Sequence, residues 1–123
     1  MLTIDSKTSH LLEKYPFHSQ RGKKENSVVI AAFKNPLGED RWYAVECEKK
    51  GEDYLFYGYC FLLKKWMWGV FSLTHLQAIK LPYGFRLEMD EGLSLKPLSQ
   101  IPQTPYFKRQ SGVRKELKYE PSV

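Results

Sequence analysis

Residues 41–71 read RWYAVECEKKGEDYLFYGYCFLLKKWMWGVF, and the punctuation of this stretch decides the fold. Rings and β-branched residues fall into three runs, Arg41–Lys49, Tyr54–Leu63 and Trp66–Phe71, the composition that suits a pleated, half-buried surface. Lys50-Gly51-Glu52-Asp53 separates the first two runs with turn-forming residues, and the polar pair Lys64-Lys65 separates the second from the third. Short links between such runs predict consecutive antiparallel strands. Turning the hairpins at Gly51-Glu52 and at Lys64-Lys65 sets Glu46 opposite Tyr57, Phe61 opposite Trp68 and Tyr59 opposite Val70.

Because side chains alternate between the two faces of a sheet, this pairing sorts them. One face receives Trp42, Ala44, Glu46, Leu55, Tyr57, Tyr59, Phe61, Leu63, Trp66, Trp68 and Val70. The other receives Tyr43, Val45, Cys47, Phe56, Gly58, Cys60, Leu62, Met67, Gly69 and Phe71. The second set is the better floor for a helix, since its two glycines permit close approach. The first is aromatic and carries one carboxylate. It serves either as a second half of the core, closed by residues 83–102, or as a pocket with an acid in its floor. A slip of one residue exchanges the faces of a strand.

Working outward, Val28–Phe33 is apolar at every position and reads as a strand covered on both sides, broken by Asn35-Pro36 and Gly38. Further upstream, Ile4, Leu11, Leu12 and Tyr15 form a rough helical stripe. Thr3 or Asp5 is placed to cap it, and Pro16 ends it. Residues 18–27, HSQRGKKENS, predict a polar, mobile loop. Downstream, Ser72 stands as the N-cap of a helix reaching Ile79 or Lys80, with Phe71 and Leu76 as a hydrophobic staple. Leu81-Pro82 stops it, and 83–102 read as a short strand plus an extended wrap. The expectation is an α+β fold: a small antiparallel meander of four to five strands packed with one or two short helices. Residues 1–102 form the domain, and 103–123 form a basic tail in which Tyr106 and Phe107 alone are candidates to dock.

A chain of 123 residues with 42% hydrophobic and 27% charged residues suits one folded core. Aromatic residues make up 15%, enough for rings to serve both a core and a binding surface. Of the net charge of +5, residues 103–123 carry +3. No apolar run approaches the ~20 residues that cross a bilayer, and Met1–Lys14 has no secretory pattern. Two cysteines, Cys47 and Cys60, read as free thiols in a reducing compartment, so the expected location is the cytoplasm, away from membranes.

Catalytic signatures are sparse. His10, His18 and His75 lack metal-ligand spacing, no C-x-x-C occurs, and the glycines are isolated rather than grouped for phosphate binding. No metal, cofactor or catalytic residue is assigned. A Cys60–His75 pair and a pairing of Glu46 with Glu88, Asp90 or Glu91 are the thinner chemical options. The candidate binding set is Trp42, Glu46, Tyr57, Tyr59, Trp68 and Ser72. Lys108, Arg109, Arg114, Lys115 and Lys118 in the tail are a secondary, nucleic-acid set.

From Phe33 onward the order of motifs resembles a bacterial family of small uncharacterised proteins, the domain of unknown function 2958. The likeness rests on Phe33–Pro36, Trp42-Tyr43-Ala44-Val45-Glu46, Gly58, Gly69-Val70-Phe71-Ser72-Leu73 with Leu76, Pro82-Tyr83-Gly84 and Lys96-Pro97-Leu98. It departs at Glu88-Met89-Asp90, where the family pattern has a central arginine, and at Lys64-Lys65, where that pattern is acidic. The resemblance implies motif roles for Trp42, Tyr43, Glu46, Phe71 and Ser72, and an association with plasmids, phages and other mobile elements. The functional expectation is a non-enzymatic accessory protein with a protein partner, acting on a host defence or maintenance component. The alternatives are a nucleic-acid-binding module and a small hydrolase or nucleotide-processing enzyme with paired carboxylates.

Overall fold

Residues 2–107 are described by the computed structural model. Among these residues five antiparallel strands make one sheet: β1 (Ala31–Lys34), β2 (Arg41–Lys50), β3 (Asp53–Leu62), β4 (Lys65–Ser72) and β5 (Glu88–Met89). Their spatial order is β4-β3-β2-β1-β5, so the first four form a meander and β5 adds to the outer side of β1. Two short helices, α1 (Ser6–Glu13) and α2 (Leu73–Ala78), complete the α+β architecture anticipated from the residue pattern. Asp5 caps α1 by accepting from the Thr8 amide at 2.7 Å. Ser72 Oγ accepts from the His75 amide at 3.0 Å, and Asp53 Oδ1 from the Thr74 amide at 3.0 Å. Two of the amides that a helix start leaves unpaired are thereby satisfied.

Both hairpin turns have two central residues. Gly51 adopts φ 60° between Lys50 and Asp53. Leu63 and Lys64 both adopt positive φ, 53° and 63°, between Leu62 and Lys65, the backbone of a type I′ turn whose twist matches the flanking strands. This second turn begins one residue earlier than the expected Lys64-Lys65, and the strand pairing slides by two. Phe61 therefore faces Trp66, Tyr59 faces Trp68 and Tyr57 faces Val70, in place of the predicted partners. A slide of two leaves each side chain on its face.

A different irregularity changes the faces of β2. Ala44 pairs with Gly58, yet Glu46 pairs with Tyr57, so Val45 is an extra residue in a β-bulge. Gly58 makes this possible, because a Cβ there would strike the Tyr43 carbonyl oxygen and stand 2.8 Å from the Ala44 Cα. Glu46 and Cys47 keep their predicted faces, whereas Trp42, Tyr43 and Ala44 are exchanged. The prediction that Trp42 shares a face with Tyr57 is thus overturned: Trp42 pairs with Cys60 and packs on the helix-covered face.

The two layers now read cleanly across the strands. On the helix side the row Met89–Phe33–Trp42–Cys60–Met67 runs across all five strands. With Ala44, Cys47, Phe56 and Phe71 it meets Leu2, Leu12, Leu73, Leu76 and Leu87 in the larger core cluster. The other side carries Ala32–Tyr43–Tyr59–Trp68, covered near β1 and β2 by Leu93, Leu98, Ile101 and Tyr106. Val28–Ile30, expected within β1, instead leads into it outside the regular ladder, held by Ile30 N–H to Ala44 O at 2.8 Å and Val29 N–H to Lys96 O at 2.9 Å. The packed chain also continues past Pro102: Thr104 is buried and its hydroxyl donates to Leu98 O and Ile101 O.

Candidate functional site

At the centre of the non-helical face, past the bulge, Glu46 is fully buried. An ionised carboxylate tolerates such burial only with partners, and Glu46 has four. Its Oε1 accepts from the His18 amide at 2.8 Å and from Arg21 Nη2 at 2.7 Å. Its Oε2 accepts from the Gln20 amide at 3.0 Å and from Arg21 Nε at 3.4 Å. Burial by itself raises the Glu46 pKa, but the Arg21 guanidinium and the two amides outweigh it and hold the carboxyl below its ordinary value. The same pairing raises the Arg21 pKa.

Gln20 completes this anchor. Its Nε2 donates to Val45 O at 2.7 Å and Val28 O at 2.8 Å, and its Oε1 accepts from the Val28 amide at 2.7 Å. The Val45 carbonyl, displaced by the bulge, thus finds a side-chain donor in place of a strand partner. Residues 18–21 are in consequence tied to the sheet, which corrects the expectation of a mobile loop across 18–27. Arg21 and Gln20 were invisible as site residues in the sequence, because no local pattern links them to a carboxylate some 25 positions later.

Arg21 then connects the anchor to the rings. Its guanidinium carbon lies 3.8 Å above the centre of the Tyr57 ring, a stacking worth on the order of 1 kcal/mol. Tyr57 stacks on Trp68 at 5.5 Å and 14°. Trp68 contacts Tyr59 at 4.8 Å, Tyr59 contacts Trp66 at 4.9 Å, and Trp66 contacts Phe61 at 5.0 Å. The line Glu46–Arg21–Tyr57–Trp68–Tyr59–Trp66–Phe61 is therefore continuous. Tyr106 reaches Tyr59 at 5.1 Å and marks the limit of the covering segment. Beyond it Tyr57, Trp66 and Trp68 are half-buried, and Val70 is 60% exposed.

Four of the six predicted binding residues, Glu46, Tyr57, Tyr59 and Trp68, are brought together on this face. Tyr43 joins them, with its ring 6.2 Å from Trp66. Its buried hydroxyl has no hydrogen-bond partner among the described residues, and burial pushes its pKa up to about 12. Trp42 lies on the other side, where it lines an apolar groove of about 680 Å³ with Leu62, Phe71, Ile79 and Leu87. Ser72 also borders that groove, although its hydroxyl is engaged as the α2 cap. The five tail cations lie outside the described residues.

The chemical options thin out on this geometry. Glu88 pairs with Lys34, which pairs with Arg41 on β2. Glu46 lies five positions along β2 from Arg41, roughly 17 Å along a strand, too far for Glu46 and Glu88 to share a proton. Cys47 faces Phe56 and Cys60 faces Trp42; both are buried free thiols whose pKa values burial pushes up to about 12. No group of histidine, cysteine, aspartate and glutamate among the described residues is placed to hold a metal.

Fold and site define the class: a small α+β domain whose sheet carries helices on one side. On the other it carries a partly open aromatic ladder, pinned by a buried glutamate–arginine pair. The chain belongs to the family described as protein of unknown function (DUF2958), whose model matches residues 2–106. No curated protein and no solved structure matches it. No helix among the described residues is long and apolar enough to cross a membrane.

Proposed function

We propose that this chain is a non-enzymatic binding protein, an accessory factor of a mobile genetic element that engages a protein of host defence or of the element's upkeep. The observation that carries the reading is the partly open end of the aromatic ladder, where Tyr57, Trp66 and Trp68 are only half-buried and Val70 is exposed. Rigid rings with few rotatable bonds make strong anchors at protein interfaces, and Arg21 stacked on Tyr57 holds one of them in place before any partner arrives. The family resemblance supports the mobile-element setting, and cytoplasmic residence goes with it.

The test is a pull-down with the full chain from cells with and without the element, then titration of the purified captured protein. The expected result is a Kd tighter than ~100 μM, roughly 5–6 kcal/mol of binding, weakened at least tenfold by Val70→Asp. A captured protein that binds Val70→Asp and the unchanged chain equally overturns the reading.

A second reading has its own support. The row Lys34–Arg41–Phe61–Trp66 places two cations on the face that carries the rings, the combination that stacks and neutralises single-stranded nucleic acid. It predicts an affinity for a single-stranded oligonucleotide that falls steeply with salt and drops on Lys34→Glu with Arg41→Glu. Salt-insensitive binding removes it.

A further inference from the structure

Among the described residues, the outer edge of β4 is the unguarded boundary of the sheet. Its counterpart β5 has two residues and carries Glu88, so that edge is short and charged. β4 has eight residues, KWMWGVFS, with one charge and no proline, and no described element lies along its outer side. Long, apolar, uninterrupted edges are the ones that recruit another strand.

We infer that β4 pairs antiparallel with β4 of a second copy, across a twofold axis through Trp68, to give a continuous ten-stranded sheet. The side chains argue for a copy of the same strand. Antiparallel partners share a face, so a register centred on residue 68 sets Trp68 against its own equivalent and Trp66 against Val70, aromatic and β-branched pairs that stabilise sheets. On the helix side the register sets Met67 against Gly69, where a Cβ would meet nothing within 4 Å. A large side chain thus enters space that a missing one leaves open. Lys65 meets the Phe71 ring, and the two Lys65 residues lie at opposite ends of the joint.

The size of the contact fits the same occupant. Eight residues extend about 27 Å. Edge pairing over that length, with rings from both faces, lies at the small end of specific interfaces, near the ~1,000 Å² total expected of one. The dimer is accordingly weak, with a Kd in the micromolar range, and it forms without occupying the Tyr57 end of the ladder.

Sedimentation equilibrium of the full chain tests this. The expected mass rises from monomer toward dimer across 1–100 μM, the order-of-magnitude range of a weak, transient contact, and Val70→Lys holds it at the monomer with an unchanged melting temperature. Trp68→Cys reports the register, since two Cα atoms facing across the axis lie within disulfide reach, whereas the buried Cys47 and Cys60 do not compete. Rapid oxidation to a covalent dimer by Trp68→Cys, with none from Trp66→Cys, is expected. A mass that stays monomeric through 100 μM overturns the proposal, as does a dimer indifferent to Val70→Lys. Because Trp66, Trp68 and Val70 serve both the joint and the ladder, capture of a different protein is read separately through Tyr57→Ala, a ladder residue on β3 outside the joint.

Discussion

Glu46 shows how one buried charge organises a surface. The carboxylate has no exposure, and its partner Arg21 keeps 37% of its side chain in solvent. Removing one member of a buried pair typically costs 3–5 kcal/mol, and solvent at Arg21 moves this case to the lower end. Glu46→Gln is expected to cost about 2–3 kcal/mol in urea unfolding at pH 7. The sign of the pH dependence follows from the lowered pKa. The ionised form is favoured in the folded chain, so its stabilisation is complete above the ordinary carboxyl value and fades as pH falls through the folded value. Unfolding free energies measured between pH 6 and pH 3 are expected to decline more steeply for the unchanged chain than for Glu46→Gln. Parallel curves would show that the pair contributes no linkage.

At the scale of elements, the bulge in β2 separates what alternation predicts from what the sheet adopts. Glycines 58 and 69 pair with each other across β3 and β4 and look equivalent in the sequence. Their surroundings differ, since Gly58 backs onto the displaced Tyr43 carbonyl and Gly69 onto open space. Gly58→Ala is expected to destabilise the fold by about 3 kcal/mol or more, with backbone clash as the mechanism. Gly69→Ala is expected to stay within about 0.5 kcal/mol of the starting stability. Equal effects in urea titrations would contradict the bulge at Val45. Most of the elements themselves were legible. The Ser72 cap, the α1 cap narrowed to Thr3 or Asp5, the Gly51 turn and the three long strands came from local chemistry. The β3–β4 turn was misplaced by one residue because Leu63 gives no sign of a positive φ, a conformation that glycine or asparagine usually marks.

Across the whole molecule, two cores share one sheet, and both thiols lie in the helix-side core with Phe33 and Phe56. Burial raises Cys47 and Cys60 to about 12, so both remain protonated thiols at pH 8. Neither is expected to react with a disulfide reagent such as DTNB until the domain unfolds, and the labelling rate is expected to follow urea in step with the loss of tertiary signal. Fast labelling of the native chain would mean that the α2 side opens on its own.

The sequence alone determined the α+β class, the meander of ring-rich strands, the helix caps and the family likeness, because each depends on propensity and spacing over a few residues. Tertiary structure decided that Trp42 lies on the helix side, that Tyr43 replaces it, and that Arg21 and Gln20 serve Glu46. A bulge arises from competition among strand, loop and neighbouring chain for the same backbone groups, and an ion pair between residues 21 and 46 forms only once those groups are arranged in space. Local patterns record which side chains alternate; the folded backbone determines where alternation slips.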